Sequence, residues 1–222
     1  MKQTKIICTI GPASESEEII EKLALEGMDV CRINFSHGGI EEQKTKMQRI
    51  VSVREKLNKH ISIAMDTRGP EIRIKDFLNG KVYLKKNQKF TFTTRDIEGN
   101  NEIVSITYLN LPEYVKRGTR ILIDDGLVEF VVDSVENGTD IKCKVQNSGE
   151  ILNKKGLNIP GIDFDLPALT EKDISDIRFG VEYGLDLILT SFIRTAKDVK
   201  YIKNVLKECG GEHIQLYAKI ET

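Results

Sequence analysis

Two kinds of side chain in this sequence suggest chemistry on a phosphoryl group. Arg32, Arg73 and Lys219 are cations that could neutralise phosphate oxygens, and Asp66 and Glu221 are carboxylates that could hold a metal ion. Because phosphoryl transfer depends mainly on positioning and charge neutralisation, this mixture of residue types suits it. An ordinary salt-bridged surface contains the same mixture, so phosphoryl transfer stands here as one hypothesis beside that alternative.

Polar residues that could contact a phosphate or a metal ion stand at the ends of four of the apolar runs. The sequence has neither a P-loop pattern nor G-x-G-x-x-G, so side chains or helix N-termini would have to hold any phosphate. In a (β/α)8 barrel all strand ends meet at one mouth, where active sites form. Capping and loop solubility are the alternative explanation. The residues concerned are Arg32, Asn34, Ser36 and His37; Asp66, Thr67 and Arg68; Ser191 and Arg194; and Lys219 and Glu221.

Alternating strands and helices position these residues at both ends of the chain. Residues 1–70 and 168–222 show apolar runs separated by helical patterns. Helices are predicted to begin at Ser14, with Glu17 in the capping-box position, near residue 41, at Thr170 and at Thr195. The apolar runs predict five parallel-type strands, at Lys5–Ile10, Asp29–Phe35, Ile61–Asp66, Leu185–Leu189 and Ile214–Glu221.

Residues 71–167 have a different pattern, which predicts an inserted β domain. Lys89–Thr93 and Ile141–Val145 alternate in polarity, and turn signals stand at Asp124–Gly126 and Glu136–Thr139. A doubly wound sheet and a barrel would both cover the parallel strands, but the polar strand ends favour the barrel. The predicted fold is therefore α/β, a partial (β/α)8 TIM-type barrel with an inserted small β-barrel lid domain.

The composition argues against a nucleic-acid-binding or membrane-spanning protein. The net charge of −1, with 30% charged residues, gives no reason to expect a nucleic-acid or acidic-lipid partner. No run approaches the roughly 18 apolar residues of a membrane span. The four scattered cysteines, Cys8, Cys31, Cys143 and Cys209, lack a C-x-x-C pair, so we interpret them as reduced thiols and expect a cytoplasmic protein.

Several segments, in order along the chain, resemble the pyruvate kinase family. One of them alone would be weak, whereas the ordered set is very specific and spans nearly the whole sequence. The segments are Arg32–Gly38, Asp66–Arg73, Ile123–Gly126, Lys154–Gly161, Leu166-Pro167 with Thr170–Asp173, Ser191–Arg194 and Ala218–Glu221.

The resemblance implies an activity, cofactors and partners. The activity would be transfer of the phosphoryl group from phosphoenolpyruvate to ADP, giving pyruvate and ATP, in the last step of glycolysis. The cofactors would be Mg²⁺ (or Mn²⁺) and K⁺, and the full-length form would be a homotetramer. No nucleic acid or membrane partner is implied. The fold would be the (β/α)8 barrel with a β lid inserted after strand three.

Residue roles on the substrate side follow from the resemblance. Arg32 and Lys219 would be catalytic and would bind substrate, Arg32 at the phosphate and Lys219 at the transferring group and the developing enolate. Ser191 would line the substrate side, with helix capping as a comparable alternative. Glu221 would bind Mg²⁺, a hard cation that prefers oxygen ligands. The family takes a second carboxylate from the next strand, so a terminal, flexible Glu221 is the alternative.

The potassium and nucleotide roles come from the same resemblance. Asn34, Ser36, Asp66 and the carbonyl of Thr67 would hold K⁺; turn capping by Asn34 and Ser36, and pairing of Asp66 with Arg32, are the alternatives. The residues matching the family's nucleotide side are Asn34, His37, Arg73 and Lys155, for which loop or solvated side chains are the alternatives. Asp125 would approach the nucleotide or simply form a turn. Arg68, Thr190 and Thr222 depart from the usual lysine, small apolar residue and asparagine.

Length is the largest departure from the family pattern. Five βα units cannot close an eight-stranded barrel, and the family continues with three more units and a C-terminal domain. We therefore expect an N-terminal fragment, produced by splitting or truncation, that binds phosphate and potassium but does not turn over alone. The alternative is a catalytically inactive fragment that only binds ligand or partner subunits.

Overall fold

The computed structural model describes residues 3–36, 38–162 and 164–221. The chain divides into two compact units. The first comprises the described residues up to Pro70 together with Leu166–Glu221, and the second comprises Glu71–Asp165. Leu166 and Pro167, which the sequence analysis placed in the insertion, thus belong to the first unit.

The secondary structure follows the predicted alternation. The first segment holds β1 (Ile7–Thr9), α1 (Glu17–Leu25), β2 (Val30–Asn34), α2 (Ile40–Leu57) and β3 (Ser62–Asp66). The second unit holds β4 (Lys81–Leu84), β5 (Lys89–Thr93), β6 (Ile103–Ser105), α3 (Leu111–Tyr114), β7 (Arg120–Ile123), β8 (Val128–Glu136), β9 (Asp140–Val145), β10 (Gly149–Leu152) and β11 (Leu157–Asn158). The chain then forms α4 (Glu171–Glu182), β12 (Leu187–Thr190), α5 (Ala196–Glu208) and β13 (Gln215–Ala218).

The sheet of the first unit decides between the two α/β architectures. Its five strands are parallel and lie in the order β1-β2-β3-β12-β13, which is their order along the chain. A doubly wound sheet would reverse its strand order at a switch point, and this sheet does not. The first unit is therefore a partial (β/α)8 barrel, and the second unit is the β insertion after its third strand.

Alternation along the strands separates a core face from a site face. Cys31, Ile33, Ile63 and Met65 are buried in the apolar core that also contains residues of the helices. The residues between them point to the opposite side of the sheet, because successive strand side chains alternate. Arg32 and Asp66 lie on that opposite side, which places them together on the barrel face of the sheet.

Two predicted element ends differ from the structure. Ser14 is not the cap of α1; its hydroxyl accepts from Gly11 N–H in a preceding turn, and Ser16 is the N-cap. The last strand ends at Ala218 and does not reach Glu221. Because β13 pairs in the described sheet with β12, whose final residue Thr190 is opposite Ala218, the ladder stops there. Lys219 and Glu221 thus follow the strand and are not part of it.

The second unit is β-rich, as its sequence pattern predicts. Six strands form a sheet in the order β11-β7-β8-β9-β5-β6, and β4 pairs with β10. Phe90, Phe92 and Phe130 pack in its core with ring centroids 5.0–5.5 Å apart. The turn between β7 and β8 places Asp124 and Asp125 at φ values of 54° and 55°, a left-handed conformation that Asp tolerates better than most residues. No helix among the described residues is long and apolar enough to cross a membrane.

Candidate functional site

A cluster of charged side chains lies where the strands of the first unit end. Arg32 is in β2, Asp66 is the last residue of β3, and Lys219 directly follows β13. Lys219 Nζ lies 2.9 Å from Asp66 Oδ1, so the lysine spans the end of the intervening strand β12. The sheet therefore brings together three residues that are far apart in sequence.

The guanidinium group of Arg32 is held by two partner side chains, Asp66 and Thr9. Its Nε donates to Asp66 Oδ2 at 2.7 Å, and its Nη2 donates to the same oxygen. Its Nη1 donates to the hydroxyl oxygen of Thr9, in β1, at 2.7 Å. The side chain is 31% exposed, so the group is anchored and still reaches solvent.

Asp66 is the buried centre of the cluster. Its side chain is 3% exposed, and its two oxygens face different cations, Oδ2 facing Arg32 and Oδ1 facing Lys219. A buried carboxylate is stable only when paired, so the two cations and the carboxylate depend on one another. The alternative that Asp66 pairs with Arg32 is thus what the structure shows.

Glu221 extends the cluster beyond Lys219. Its Oε1 lies 3.4 Å from Lys219 Nζ, and its Oε2 accepts from the backbone N–H of Phe192 at 3.1 Å. Phe192 has a φ of 56°, a left-handed conformation that is uncommon outside glycine. The loop after β12 therefore supplies a backbone donor that orients Glu221.

Thr67 and Ser191 join the loops after β3 and β12. Ser191 N–H donates to Thr67 Oγ1 at 3.1 Å, and the Ser191 hydroxyl donates to the Thr67 carbonyl at 2.5 Å. Both residues are buried. At Gly69 a Cβ would lie 2.9 Å from that of Ser191, and its φ is 68°. The two loops therefore pack too closely for a side chain at position 69.

The N-terminus of α4 fixes the loop after β3. Asp173, which is fully buried, accepts from the backbone N–H groups of Arg68 and Gly69 at 3.1 and 3.3 Å. Its other oxygen accepts from the N–H and hydroxyl of Thr170, completing a capping box. The neighbouring Lys172 donates to the Phe35 carbonyl after β2 at 3.2 Å. One helix end thus anchors the segments that follow two strands.

The predicted potassium ligands lie on adjacent strands. Asn34 and Asp66 are register partners in β2 and β3. Thr67 directly follows Asp66, and Ser36 lies two residues after Asn34. Asn34 Oδ1 accepts from Ser36 N–H at 2.9 Å, which is the turn-capping arrangement. One carboxylate and three neutral oxygens form a donor set of low charge, which fits a monovalent cation. Asp66 Oδ1 also accepts no well-aligned hydrogen bond from the described residues, although Lys219 Nζ is nearby.

A complete magnesium site is not present in the part of the chain that the structure describes. Glu221 offers one carboxylate of suitable chemistry, whereas no group of three or more His, Cys, Asp or Glu side chains among the described residues could hold a metal ion. Mg²⁺ demands near-octahedral oxygen coordination. Glu221 therefore fits as one ligand that substrate oxygens or a further carboxylate would have to complete.

The nucleotide-side candidates of the second unit are held by contacts within that unit. Arg73 pairs with Glu71, and its Nη1 donates to the Lys154 carbonyl at 2.7 Å. Lys155 Nζ lies 2.9 Å from Asp124 Oδ1 in the turn after β7. These pairs gather Arg73 and Lys155 at one end of β11, where they remain partly exposed. His37 and Thr222, both named in the sequence analysis, lie outside the described residues.

Sequence reasoning missed two residues of the site. Thr9 lies within the predicted strand Lys5–Ile10 and Asp173 lies in the first turn of the helix predicted to begin at Thr170, and neither position by itself indicates a contact with the site. For Thr9 the signal was a hydroxyl at the end of the first strand, in register with Arg32. For Asp173 no sequence signal distinguishes a capping carboxylate that also binds a distant loop from one that does not.

Comparison with known proteins gives a match over the whole chain. A family model described as pyruvate kinase, barrel domain, matches residues 1–222. Pyruvate kinases of Staphylococcus epidermidis and of Staphylococcus aureus are each 46% identical over 222 residues, which is 100% of this chain. The chain spans 38% of the length of these relatives. By this match, and with the barrel order of its strands, the chain belongs to the pyruvate kinase family.

Proposed function

We propose that the chain forms the substrate-phosphate side of a pyruvate kinase active site. The reaction would transfer the phosphoryl group of phosphoenolpyruvate to ADP, and the enolate left behind would take up a proton to give pyruvate. The observation that carries this proposal is the buried Asp66, which holds Arg32 and Lys219 at the strand ends of the first unit. Two fixed cations on one carboxylate can receive a highly charged phosphate without moving.

Arg32 would bind the phosphate of the substrate. A guanidinium presents a planar set of N–H donors that matches phosphate oxygens, and a fixed plane improves that match. Asp66 and Thr9 hold the plane in place. The substrate would therefore meet a donor group that is oriented before binding, which lowers the cost of ordering it.

Lys219 would neutralise charge that moves during the transfer. Its ammonium group lies between Asp66 and Glu221 and is 30% exposed, so it can contact a ligand at the strand ends. Preorganised charge of this kind stabilises a transition state more than a ground state. Ser191 lines the same side, but its hydroxyl is committed to the Thr67 carbonyl, which favours a role in loop positioning.

The described residues offer more ligands for K⁺ than for Mg²⁺ or Mn²⁺. Asn34, Ser36, Asp66 and the Thr67 carbonyl would hold K⁺, and Glu221 would be one ligand of Mg²⁺ or Mn²⁺. When bound, these cations supply positive charge beside the phosphoryl oxygens. The chain's own contribution is to keep Asp66 and Glu221 oriented, through Arg32 and Lys219 and through the Phe192 N–H.

Four residues match the nucleotide side of the family's active site. We propose that Asn34, His37, Arg73 and Lys155 contact ADP or ATP. The cationic side chains of Arg73 and Lys155, which acidic partners already hold in place, support this assignment. We also propose a cytoplasmic location and a homotetramer in the full-length form, for which the resemblance to the family is the only support.

A second reading is that this chain binds ligand without turnover. The position of Glu221 favours it, because this carboxylate belongs to no group of three or more His, Cys, Asp or Glu side chains among the described residues and would depend on substrate oxygens or a further carboxylate to hold a divalent ion. Under this reading phosphoenolpyruvate still binds through Arg32 and Lys219. The two readings therefore differ in catalysis and agree on binding.

A coupled assay with lactate dehydrogenase separates the two readings. The chain would be measured alone and as a fusion to the remaining C-terminal part of the Staphylococcus epidermidis relative, with phosphoenolpyruvate, ADP, Mg²⁺ and K⁺ present. We expect pyruvate formation from the fusion and none from the chain alone. A correctly folded fusion without activity would contradict the enzyme reading and leave ligand binding as the function of the chain.

A further inference from the structure

Arg32 depends on a residue for which the family assignment gives no role. We propose that the Thr9 hydroxyl is a positioning group that fixes the guanidinium plane of Arg32 for phosphate binding. This inference rests on the proposed function, since it concerns how the substrate phosphate is received. It assigns Thr9 a task that acts through Arg32 and requires no contact between Thr9 and the reacting atoms.

The geometry at Asp66 shows why a second anchor is needed. Both hydrogen bonds from Arg32 to Asp66, from Nε and from Nη2, end on the single oxygen Oδ2. A side-by-side pair of bonds to two oxygens would fix the plane of the guanidinium. Two bonds to one oxygen instead leave that oxygen as a pivot, because Oδ1 faces Lys219.

Thr9 provides the missing anchor at the other side of the group. Its Oγ1 accepts from Arg32 Nη1 at 2.7 Å, and Nη1 is the nitrogen that Asp66 does not contact. Thr9 and Arg32 are register partners in β1 and β2, so the sheet itself holds the hydroxyl at this position. A short bond between two strands that are fixed relative to each other stops rotation about Asp66 Oδ2.

Two N–H donors of Arg32 remain for a ligand. A guanidinium carries five N–H donors, one on Nε and two on each Nη. Asp66 and Thr9 take one from each nitrogen. One N–H on Nη1 and one on Nη2 therefore remain uncommitted among the described residues. These two donors belong to neighbouring nitrogens, which is the arrangement that binds two oxygens of one phosphate.

The chemistry of the threonine side chain also fits this role. A hydroxyl accepts the bond without adding negative charge, whereas a carboxylate at position 9 would cancel the charge of Arg32. Asp66 and Glu221 already balance Arg32 and Lys219 in charge, so an uncharged acceptor avoids a net negative charge that would repel an anion. Thr9 is itself exposed on the barrel face, so a substitution there does not disturb the core.

The test measures the binding of phosphoenolpyruvate to the 222-residue chain by titration calorimetry with K⁺ present. The variants are Thr9→Val, which removes the hydroxyl at nearly the same shape, and Thr9→Ser, which keeps it; Thr9→Ala replaces Thr9→Val if that variant does not fold. We expect Thr9→Val to weaken binding about tenfold, as for a lost hydrogen bond to a charged group. Thr9→Ser should stay within about twofold of the unaltered chain.

Arg32→Met, alone and combined with Thr9→Val, identifies the route by which Thr9 acts. If the hydroxyl works through Arg32, Thr9→Val should cause no further loss of affinity once the guanidinium is absent. A further loss in that background would overturn the inference, as would equal weakening by Thr9→Ser and Thr9→Val. Binding that Arg32→Met abolishes and Thr9→Val leaves unchanged would overturn the inference and leave the proposed function standing. Absence of binding by the folded, unaltered chain would contradict both.

Discussion

At the scale of single residues, Asp66 sets the energetics of the site. Its carboxylate is 3% exposed and balances the charges of Arg32 and Lys219, which are themselves about one third exposed. Breaking a buried ion pair from one side leaves an uncompensated charge, and this costs far more than losing an exposed pair. The stability of the first unit and the charge of the site therefore depend on the same side chain.

We predict that Asp66→Asn destabilises the first unit by about 2–3 kcal/mol, since both cations lose their shared counter-charge. Urea unfolding followed by circular dichroism measures the change. Asp76→Asn is the matched control, because Asp76 pairs with Lys154 at 3.6 Å and its side chain is 53% exposed. The control should lie within about 0.5 kcal/mol of the unaltered chain. Equal losses in the two variants would contradict the assigned role of Asp66.

Residue types were enough to select Arg32, Asp66 and Lys219 from the sequence, because cations and carboxylates at strand ends are the groups that phosphoryl chemistry needs. The pairing of Asp66 with Arg32 was open as an alternative, whereas the contacts of Arg32 with Thr9 and of Asp66 with Lys219 could not be predicted. The pairing of Arg32 with Asp66 and Thr9 depends on the register of three strands, and a shift of one residue would turn each side chain to the other face. Glu221 was selected from the sequence by its residue type, and its backbone partner follows from the unusual conformation of Phe192.

At the scale of elements, two helix N-termini with the same capping motif make different tertiary contacts. In α5 the capping box of Thr195 and Asp198 satisfies the helix end and its preceding residue. In α4 the capping box of Thr170 and Asp173 also receives two N–H groups from the loop after β3. A sequence pattern predicts both caps equally well. The additional contacts of α4 depend on the tertiary fold, so the sequence could not predict them.

We predict that Asp173→Ala costs about 2–4 kcal/mol of unfolding free energy, whereas Asp198→Ala costs about 1–2 kcal/mol. Each variant loses a helix cap, but only the first also leaves two N–H groups of the β3 loop, that of buried Gly69 and that of the more exposed Arg68, without their acceptor. Urea unfolding compares the two, and hydrogen exchange at Arg68 and Gly69 locates the effect. Similar costs, with unchanged protection at Arg68 and Gly69, would show that Asp173 is a cap alone.

The second unit has a carboxylate whose titration links its stability to pH. Burial raises the pKa of Asp140, but hydrogen bonds from Thr93 and Arg95 outweigh that effect and hold the pKa below its ordinary value of 3.8. The unfolded state therefore takes up the proton first as the pH falls. The contribution of Asp140 to the free energy of unfolding is fully present above pH 3.8, and it is lost as the pH falls through the lowered pKa of the folded state.

Asp140→Asn should accordingly flatten the pH dependence of the second unit's unfolding as the pH falls below about 3.8. The urea midpoint of the unaltered chain should decrease over this range more steeply than that of the variant. Asp96→Asn is the control, because Asp96 pairs with Lys75 but its side chain is 86% exposed. A variant with the same acid-induced loss as the unaltered chain would contradict the assignment to Asp140.

At the scale of the whole molecule, the sequence predicted a partial barrel for the first unit, and the sequential order of its parallel strands confirms it. Apolar runs and their polar ends favoured a barrel over a doubly wound sheet, and sequential parallel pairing decides the matter. The sheet as described has β1 and β13 as its outer strands. Ile7 and Tyr217 on these strands are 53% and 52% exposed. Uncovered edges with apolar side chains favour association with another chain.

We predict that the purified 222-residue chain associates through β1 and β13 at micromolar concentration. Light scattering should show species larger than a monomer, and Tyr217→Lys should reduce them, because a charged side chain disfavours edge pairing. Tyr83→Lys on β4, which is 61% exposed, is the control and should have no effect. A monodisperse monomer whose two units unfold cooperatively would contradict this prediction.

We propose that Lys219, held by Asp66, stabilises the transferring phosphoryl group. The most direct measurement is the kcat of pyruvate formation by the fusion protein carrying Lys219→Met, compared with Lys207→Met, whose exposed lysine pairs with Glu212 away from the site. We expect Lys219→Met to lower kcat by about 100-fold or more, as for other lost electrostatic contacts to a transition state, and Lys207→Met to stay within about twofold. Equal kcat values for Lys219→Met and the unaltered fusion would contradict the account.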